Sequence, residues 1–277
     1  MARGFRTGGR GLYDAPPVLS VLGARAVPYT MKGWPPGSHR GLPDGRLVLL
    51  VSTTEPVSVE GPQHGPMRMG VSLAGIHDGA VEIRHHGREE GVQVDLTPRL
   101  VRALFGISPG TLVNRIVPVS DLGPTLEDQL VEAARRTSPP LQRAAAIESI
   151  LAARLGGVPA PRLVDHAWDL LESSGGSLRI AVLARDLGVS RRYLDRLFLD
   201  EAGLPPTSVA RMFRVMRSRR YLAAAARPSL VEAALAAGFF DQSHMIGDWK
   251  QIAGMTPGEW LREELPYFQH GVVAAER

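Results

Sequence analysis

Six arginines, Arg211, Arg214, Arg217, Arg219, Arg220 and Arg227, fall in one stretch that holds no acidic residue. Guanidinium groups at that density could follow a phosphate backbone, and the competing reading is a solvated helix face. The charge is concentrated there. Residues 177–262 carry 13 basic and 8 acidic side chains, residues 263–277 carry 1 and 3, and residues 1–176 carry 18 and 17, so the formal net charge of +4 resolves into +5, −2 and +1.

Other chemistries find little support. The N-terminal histidines are His39, His64, His77, His85 and His86. His85 and His86 are adjacent, so on a strand they point to opposite faces and cannot share one ion, and there is no His-x-His pair. Phosphate-loop and dinucleotide glycine patterns are absent, and nothing marks a nucleophile with its base. With 0 cysteines there are no disulfides and no thiolate sites. The sequence therefore predicts no catalytic residue, no metal and no cofactor. A hydrophobic fraction of 44% with 22% charged residues fits a globular protein, and no apolar run approaches the roughly 20 residues that span a bilayer. A cytoplasmic location is expected, since the Gly- and Arg-rich N-terminus makes a poor secretory signal.

The elements that must position the arginines come next. Residues 229–257 read as two short helices joined by a tight turn. Ser229 and Glu232 form a capping box, Val231, Ala234 and Leu235 recur at helical spacing, and Gly238 ends the helix. Asp241 caps a second helix to about Ala253, with Met245 and Trp249 one turn apart on its buried face. This is a helix-turn-helix signature, whose second helix commonly lies in the DNA major groove. Residues 183–206 repeat it. Ala184 and Gly188 fall on Ala234 and Gly238, and after a one-residue step Ser190 meets Asp241, Leu194 meets Met245, Phe198 meets Trp249, Gly203 meets Gly254 and Pro206 meets Pro257. Between the two heads, Thr207 to about Ala226 is a long helix with Val209, Phe213, Met216 and Leu222 as its apolar set. A rigid linker fixes the spacing of the heads, and readers of successive major grooves stand roughly 34 Å apart.

Upstream, residues 1–17 read as a disordered lead and 18–122 as a β-rich domain, with strand-like runs at 47–51, 57–59, 81–83 and 92–96 between turn signals such as Pro43-Asp44-Gly45. Thr97-Pro98 starts a short helix through Phe105, ended by Gly106. Residues 123–172 form a helical connector. Its first helix is capped by Thr125 with Asp128, and its second runs from Ser138-Pro139 to Leu155 with a stripe of Leu141, Ile147, Ile150 and Leu151. That stripe is either a dimer seam or intrachain core. A helix around Pro161 to Leu171 leads to Ser173–Ser177, which reads as a flexible hinge, and 263–277 is a tail. The fold class is α+β: a mostly β first domain, a helical connector and an all-α domain at 177–262 with two helix-turn-helix motifs.

The small helix, Gly, Ser-x-x-x-Leu-x-Arg-x-Phe, Gly and Pro, then a long helix, Gly-Phe-x-Asp-Gln-Ser-His and Gly-x-Thr-Pro together resemble the DNA-binding domain of AraC-type transcriptional regulators. The likeness covers about residues 177–262. The Pro-Asp-Gly turn and the segment FGISPGTLVNRIVPVSDL resemble the N-terminal part of a less characterised subset of that family, which implies a sensory or assembly domain. In such domains the exposed residues early in each recognition helix meet base edges. In the first head these are Arg191, Arg192, Asp195 and Arg196, where Arg suits guanine and Asp can accept from cytosine; Asp195 can instead orient a neighbouring arginine. In the second they are Gln242, Ser243 and Ile246, suited to adenine and to a thymine methyl. His244, Lys250, Arg211, Arg214, Arg217, Arg219 and Arg220 are backbone contacts. Gly247 stands where the family usually carries Arg, the equivalent of Arg196.

The partners this implies are double-stranded promoter DNA, RNA polymerase for an activator, a small-molecule effector and a second copy of the chain, without a membrane. Trp34, His39 and Trp168 are the only hints of a ligand pocket. A ligand-independent architectural protein is the alternative, followed by a β-barrel enzyme fused to a DNA-binding domain.

Overall fold

A computed structural model describes residues 23–32, 35–61, 64–137, 139–155, 160–224 and 229–265. Alternation in one strand explains the layout of its first half. In β3 (Leu47–Ser52), Leu47, Leu49 and Val51 are fully buried, while Val48 and Leu50 between them are only half-buried. Successive side chains on a strand face opposite sides, so one set meets helices and the other lines a cavity.

Around it, β1 (Arg25–Lys32), β8 (Arg88–Leu96), β3, β6 (Val71–Ala74) and β9 (Ile116–Pro118) form a five-stranded antiparallel sheet in that order. A four-stranded antiparallel sheet follows the order β2 (Gly37–Gly41), β7 (Val81–His85), β4 (Val57–Gly61) and β5 (His64–Met69). The four strand runs expected from sequence all lie in strands. The others were not legible, β1 among them because Pro28 interrupts it; proline is tolerated there because β1 is an edge strand.

Helix α1 (Pro98–Phe105) has the expected bounds, with Thr97 Oγ1 accepting the Leu100 N–H at 3.3 Å and Gly106 left-handed at its end. Helix α2 (Pro124–Arg136) departs from expectation. Its cap is Gly123 with no side-chain bond, so Thr125 sits inside the first turn and Asp128 beyond it, rather than capping the helix. Helices α3 (Pro140–Arg154) and α4 (Leu163–Ser173) complete the connector. Leu126, Leu130, Ile147 and Leu151 are buried in the same core as Leu49 and Val94 of the five-stranded sheet. The apolar stripe is thus used within the chain, and of its predicted members Leu141 stays 43% exposed.

That core does not stop at the connector. It continues through Trp168 into Leu183, Leu194, Phe198 and Phe213 of the C-terminal region. Trp168 stacks on Phe198 at 6.2 Å and meets Phe213 edge-on at 5.9 Å, and it also borders a small cavity of about 220 Å³ beside Thr97, Pro98 and Asp169, apart from the larger one between the sheets. The run Ser173–Ser177 is correspondingly a fastened turn and not a hinge. A Cβ on Gly176 would lie 2.0 Å from the Ala210 carbonyl oxygen, and Arg214 and Arg217 donate to the carbonyls of Gly176 and Ser174 at 3.0 and 3.3 Å. A second core holds Val215, Leu222, Met245, Trp249 and Trp260. No helix among the described residues is long and apolar enough to cross a membrane.

Candidate nucleic-acid interface

Two helix pairs flank a 19-residue linker helix, α7 (Pro206–Ala224). The first pair is α5 (Ile180–Asp186) and α6 (Arg191–Ala202); the second is α8 (Leu230–Ala236) and α9 (Gln242–Ala253), followed by α10 (Pro257–Glu263). The repeat read from sequence is physical. Ser190 Oγ accepts the Tyr193 N–H at 3.1 Å, and Asp241 Oδ1 accepts the His244 N–H at 2.7 Å, so both second helices start on a side-chain cap. Gly203 and Gly254 end them at φ +73° and +65°, where a β-carbon would be strained. Leu194 and Met245 are fully buried, as are Phe198 and Trp249.

One capping box differs from expectation. Ser229 Oγ accepts the Glu232 N–H at 3.3 Å, but the Glu232 carboxylate accepts from Tyr221 on the linker at 2.8 Å instead of returning to the cap. A reciprocal box does form at Thr256 and Glu259, which starts α10.

On α6, Arg191, Arg192 and Arg196 are exposed and Asp195 is half-buried. Arg191 Nε lies 3.8 Å from Asp195 Oδ2, and the Arg196 guanidinium stands 5.4 Å over the Tyr193 ring. Three guanidinium groups thus share the first two turns, one oriented by a carboxylate and one by an aromatic face. On α9, Ser243, His244 and Lys250 are exposed and Gln242 and Ile246 half-buried. His244 packs edge-on against Phe239 at 5.3 Å. Gly247 is exposed, and a Cβ there would meet nothing within 4 Å.

The linker arginines are not the open stripe that the sequence suggested. Arg211 and Arg214 each reach a carboxylate oxygen of Asp248 on α9 at 3.1 Å, and the Arg214 guanidinium also lies 5.4 Å from the Phe239 ring. Asp248 is buried, so these two cations fasten α9 to the linker. Arg219 is buried as well and faces the β-rich domain. Arg217 and Arg220 are the two of the five that remain exposed. Arg227 and Trp34 lie outside the described residues.

A cavity of about 460 Å³ opens between the two sheets and the linker helix. Val48, Leu50, Val59 and Ile83 give it an apolar interior, and Arg219 and Arg220 close one side. Its polar lining includes His39, His77, Glu89, Gln93 and Asp95. Burial, helped by the nearby His85, pushes His39 down to about 4, and the two rings stand 5.6 Å apart. Burial also pushes Glu89 up to about 7. Asp44 at the same wall is raised to about 6 by burial and by Asp95, against the charge of Arg219. Among the described residues, no group of three or more His, Asp or Glu could hold a metal ion. Volume, apolar lining and a few fixed polar groups are what a small organic ligand requires.

Arg40, on the cavity wall, reaches the second head. Its backbone N–H donates to Glu264 Oε2 and its guanidinium to the Ala253 carbonyl, each at 3.1 Å. This link and the exposed ring of Phe240 were not foreseen from sequence. The first joins positions 213 residues apart, and the second sits in a turn where periodicity assigns no face.

A β-rich domain with a cavity, joined to two capped helix pairs on a shared linker, defines a tandem helix-turn-helix architecture. A model described as a helix-turn-helix domain matches residues 183–263. The HTH-type transcriptional regulator GlxA of Rhizobium meliloti (strain 1021) is 26% identical over 216 residues, covering 70% of this chain and 66% of that protein. The probable thc operon regulatory protein of Rhodococcus erythropolis is 33% identical over 105 residues, 37% of this chain and 32% of that protein. The chain thus spans just under two thirds of the first relative's length and about one third of the second's. The apo form of a lysine-to-alanine variant of ToxT from Vibrio cholerae strain SCE256 shares the fold, with a TM-score of 0.53 at 11% identity over 86% of this chain and 97% of that one. Residues 183–263 thus carry a helix-turn-helix domain, and the chain is similar to transcriptional regulators that have one.

Proposed function

We propose that this chain is a sequence-specific DNA-binding regulator whose two reading helices, α6 and α9, enter successive major grooves of a promoter, under control of a small molecule held in the β-rich domain. The observation that carries the reading is the paired construction of the heads: the same cap, buried pair and glycine exit appear twice, on either side of one uninterrupted helix. At 19 residues the linker is about 28 Å long, commensurate with one turn of B-DNA. Arg191, Arg192 and Arg196 present guanine-reading groups, and Gln242 and Ser243 present hydrogen-bonding groups from the second head.

The cavity supports a signal-dependent regulator over an architectural protein. Its wall includes both β strands and Arg219 and Arg220 of the linker, so an occupant touches the piece that spaces the heads. Selection of bound sequences from random DNA tests the reading. Two half-sites with centres about 10 base pairs apart are expected, and recovery of no enriched sequence overturns it. A thermal-shift screen against metabolites tests the control, and a melting point that no compound moves favours the ligand-free alternative.

A further inference from the structure

The second head carries an aromatic ring that its own fold does not use. The turn of the first head runs Gly188-Val189-Ser190, and that of the second, Gly238-Phe239-Phe240-Asp241, is one residue longer. Phe239 takes the buried place in the turn, between His244 and Arg214. The added residue is Phe240, 88% exposed, the most exposed large hydrophobic side chain among the described residues. Its position is nonetheless fixed. The next residue is the cap Asp241, so the ring stands at the end of α9 from which Gln242 and Ser243 project.

The rest of that face has the same character. Gly247 occupies the place of Arg196 in the first head, and its φ is not one that demands glycine. Open space around it means that packing does not demand glycine either. Its effect is to clear the surface of α9 beside Ile246. Within the major groove, thymine alone presents an apolar group, its 5-methyl, and phenylalanine is among the side chains that contact it.

We propose that Phe240 is a specificity-determining residue: the second head reads thymine methyls, through Phe240 just before the cap of α9 and Ile246 six residues on, where the first head reads guanine through arginine. This rests on the DNA-binding reading above. It makes the operator chemically lopsided, with a guanine-bearing half-site and a thymine-rich one.

The test uses the full chain and a duplex obtained by selection from random DNA, in which thymines of the second half-site are replaced by deoxyuridine. That exchange removes the methyl and leaves every hydrogen-bonding group in place. By fluorescence anisotropy, the loss of a contacted methyl is expected to weaken wild-type binding by about fourfold. Phe240→Ser is expected to weaken binding to the thymine duplex and to shrink the difference between thymine and uracil to the part that Ile246 supplies, with an unchanged melting temperature because the ring is exposed. Equal wild-type affinity for both duplexes overturns the proposal. So does a Phe240→Ser protein that binds DNA normally but fails in reconstituted transcription, since the ring would then dock on a protein. Failure of the wild type to select or bind any duplex instead strikes the DNA-binding reading itself.

Discussion

The guanidinium of Arg40 donates to the carbonyl oxygen of Ala253, tying a cavity-lining strand to the last residue of α9. The final carbonyls of a helix have no donors within it and carry the negative end of its dipole, so a cation there is favourable. Arg40→Ala is expected to speed amide hydrogen exchange severalfold over residues 242–263 while leaving 191–202 unchanged. Unaltered protection in the second head would show that the tie is not what holds it.

Arg196 is exposed on α6, two turns of which carry the guanine-suited groups of the first head. Arg196→Ala is expected to lose about 1 to 3 kcal/mol on the target site and to relax one base position. Titration against a set of point-mutated sites checks this. Uniform weakening across all of them would make Arg196 a phosphate clamp.

The linker arginines should divide into two groups. Replacing Arg217 and Arg220, both exposed, is expected to lower affinity for every sequence and flatten the dependence of binding on salt. Asp248→Ala leaves two guanidinium groups facing each other without their carboxylate, and is expected to destabilise the fold by about 3 kcal/mol in denaturant titration. If Asp248→Ala shifts only the salt slope, the division is wrong.

Glu89 and His39 give the cavity opposite responses to pH. The folded state holds a proton on Glu89 up to about pH 7, above the usual carboxylate range, so this group lowers stability as pH rises from about 4.5 to 7. Asp44, raised to about 6, acts in the same direction. His39 is held neutral down to about pH 4, so the unfolded chain binds more protons below pH 6.5 and stability falls as pH falls through that window. Glu89→Gln is therefore expected to raise the melting temperature at pH 8 and to lose that advantage near pH 4. A gain independent of pH would mean that ionisation of Glu89 is not its source.

What sequence made legible follows from how local each signal is. The interior strands β8, β3, β7 and β4 showed as β-branched or aliphatic runs because they are packed by neighbours on both sides, while β6, also interior, has only four residues and escaped notice. Strands β1, β2, β5 and β9 lie at sheet edges and carry Pro, Gly or polar residues that read as turns. The heads were readable almost residue by residue, since a cap and its amide lie within three positions of each other. Charge was not. The stretch from Arg211 to Arg220 holds no acid in sequence, yet its first arginines meet Asp248, and Arg214 lies 34 positions from it. Composition likewise marked Ser173–Ser177 as a hinge because it cannot register the close approach of Gly176 to Ala210.

The core that runs from the five-stranded sheet through Trp168 to Phe198 and Phe213 bears on modularity. A fragment cut at the Ser/Gly turn would leave the faces of Leu183, Phe198 and Phe213 bare to water where Trp168 and its neighbours now cover them. The segment that matches the helix-turn-helix model is thus not a cassette. Grafted onto another sensor, it would transplant a second head without its Arg40 tie and a first head that had lost part of its interior, so the units this chain inherits and exchanges need not coincide with the units that fold.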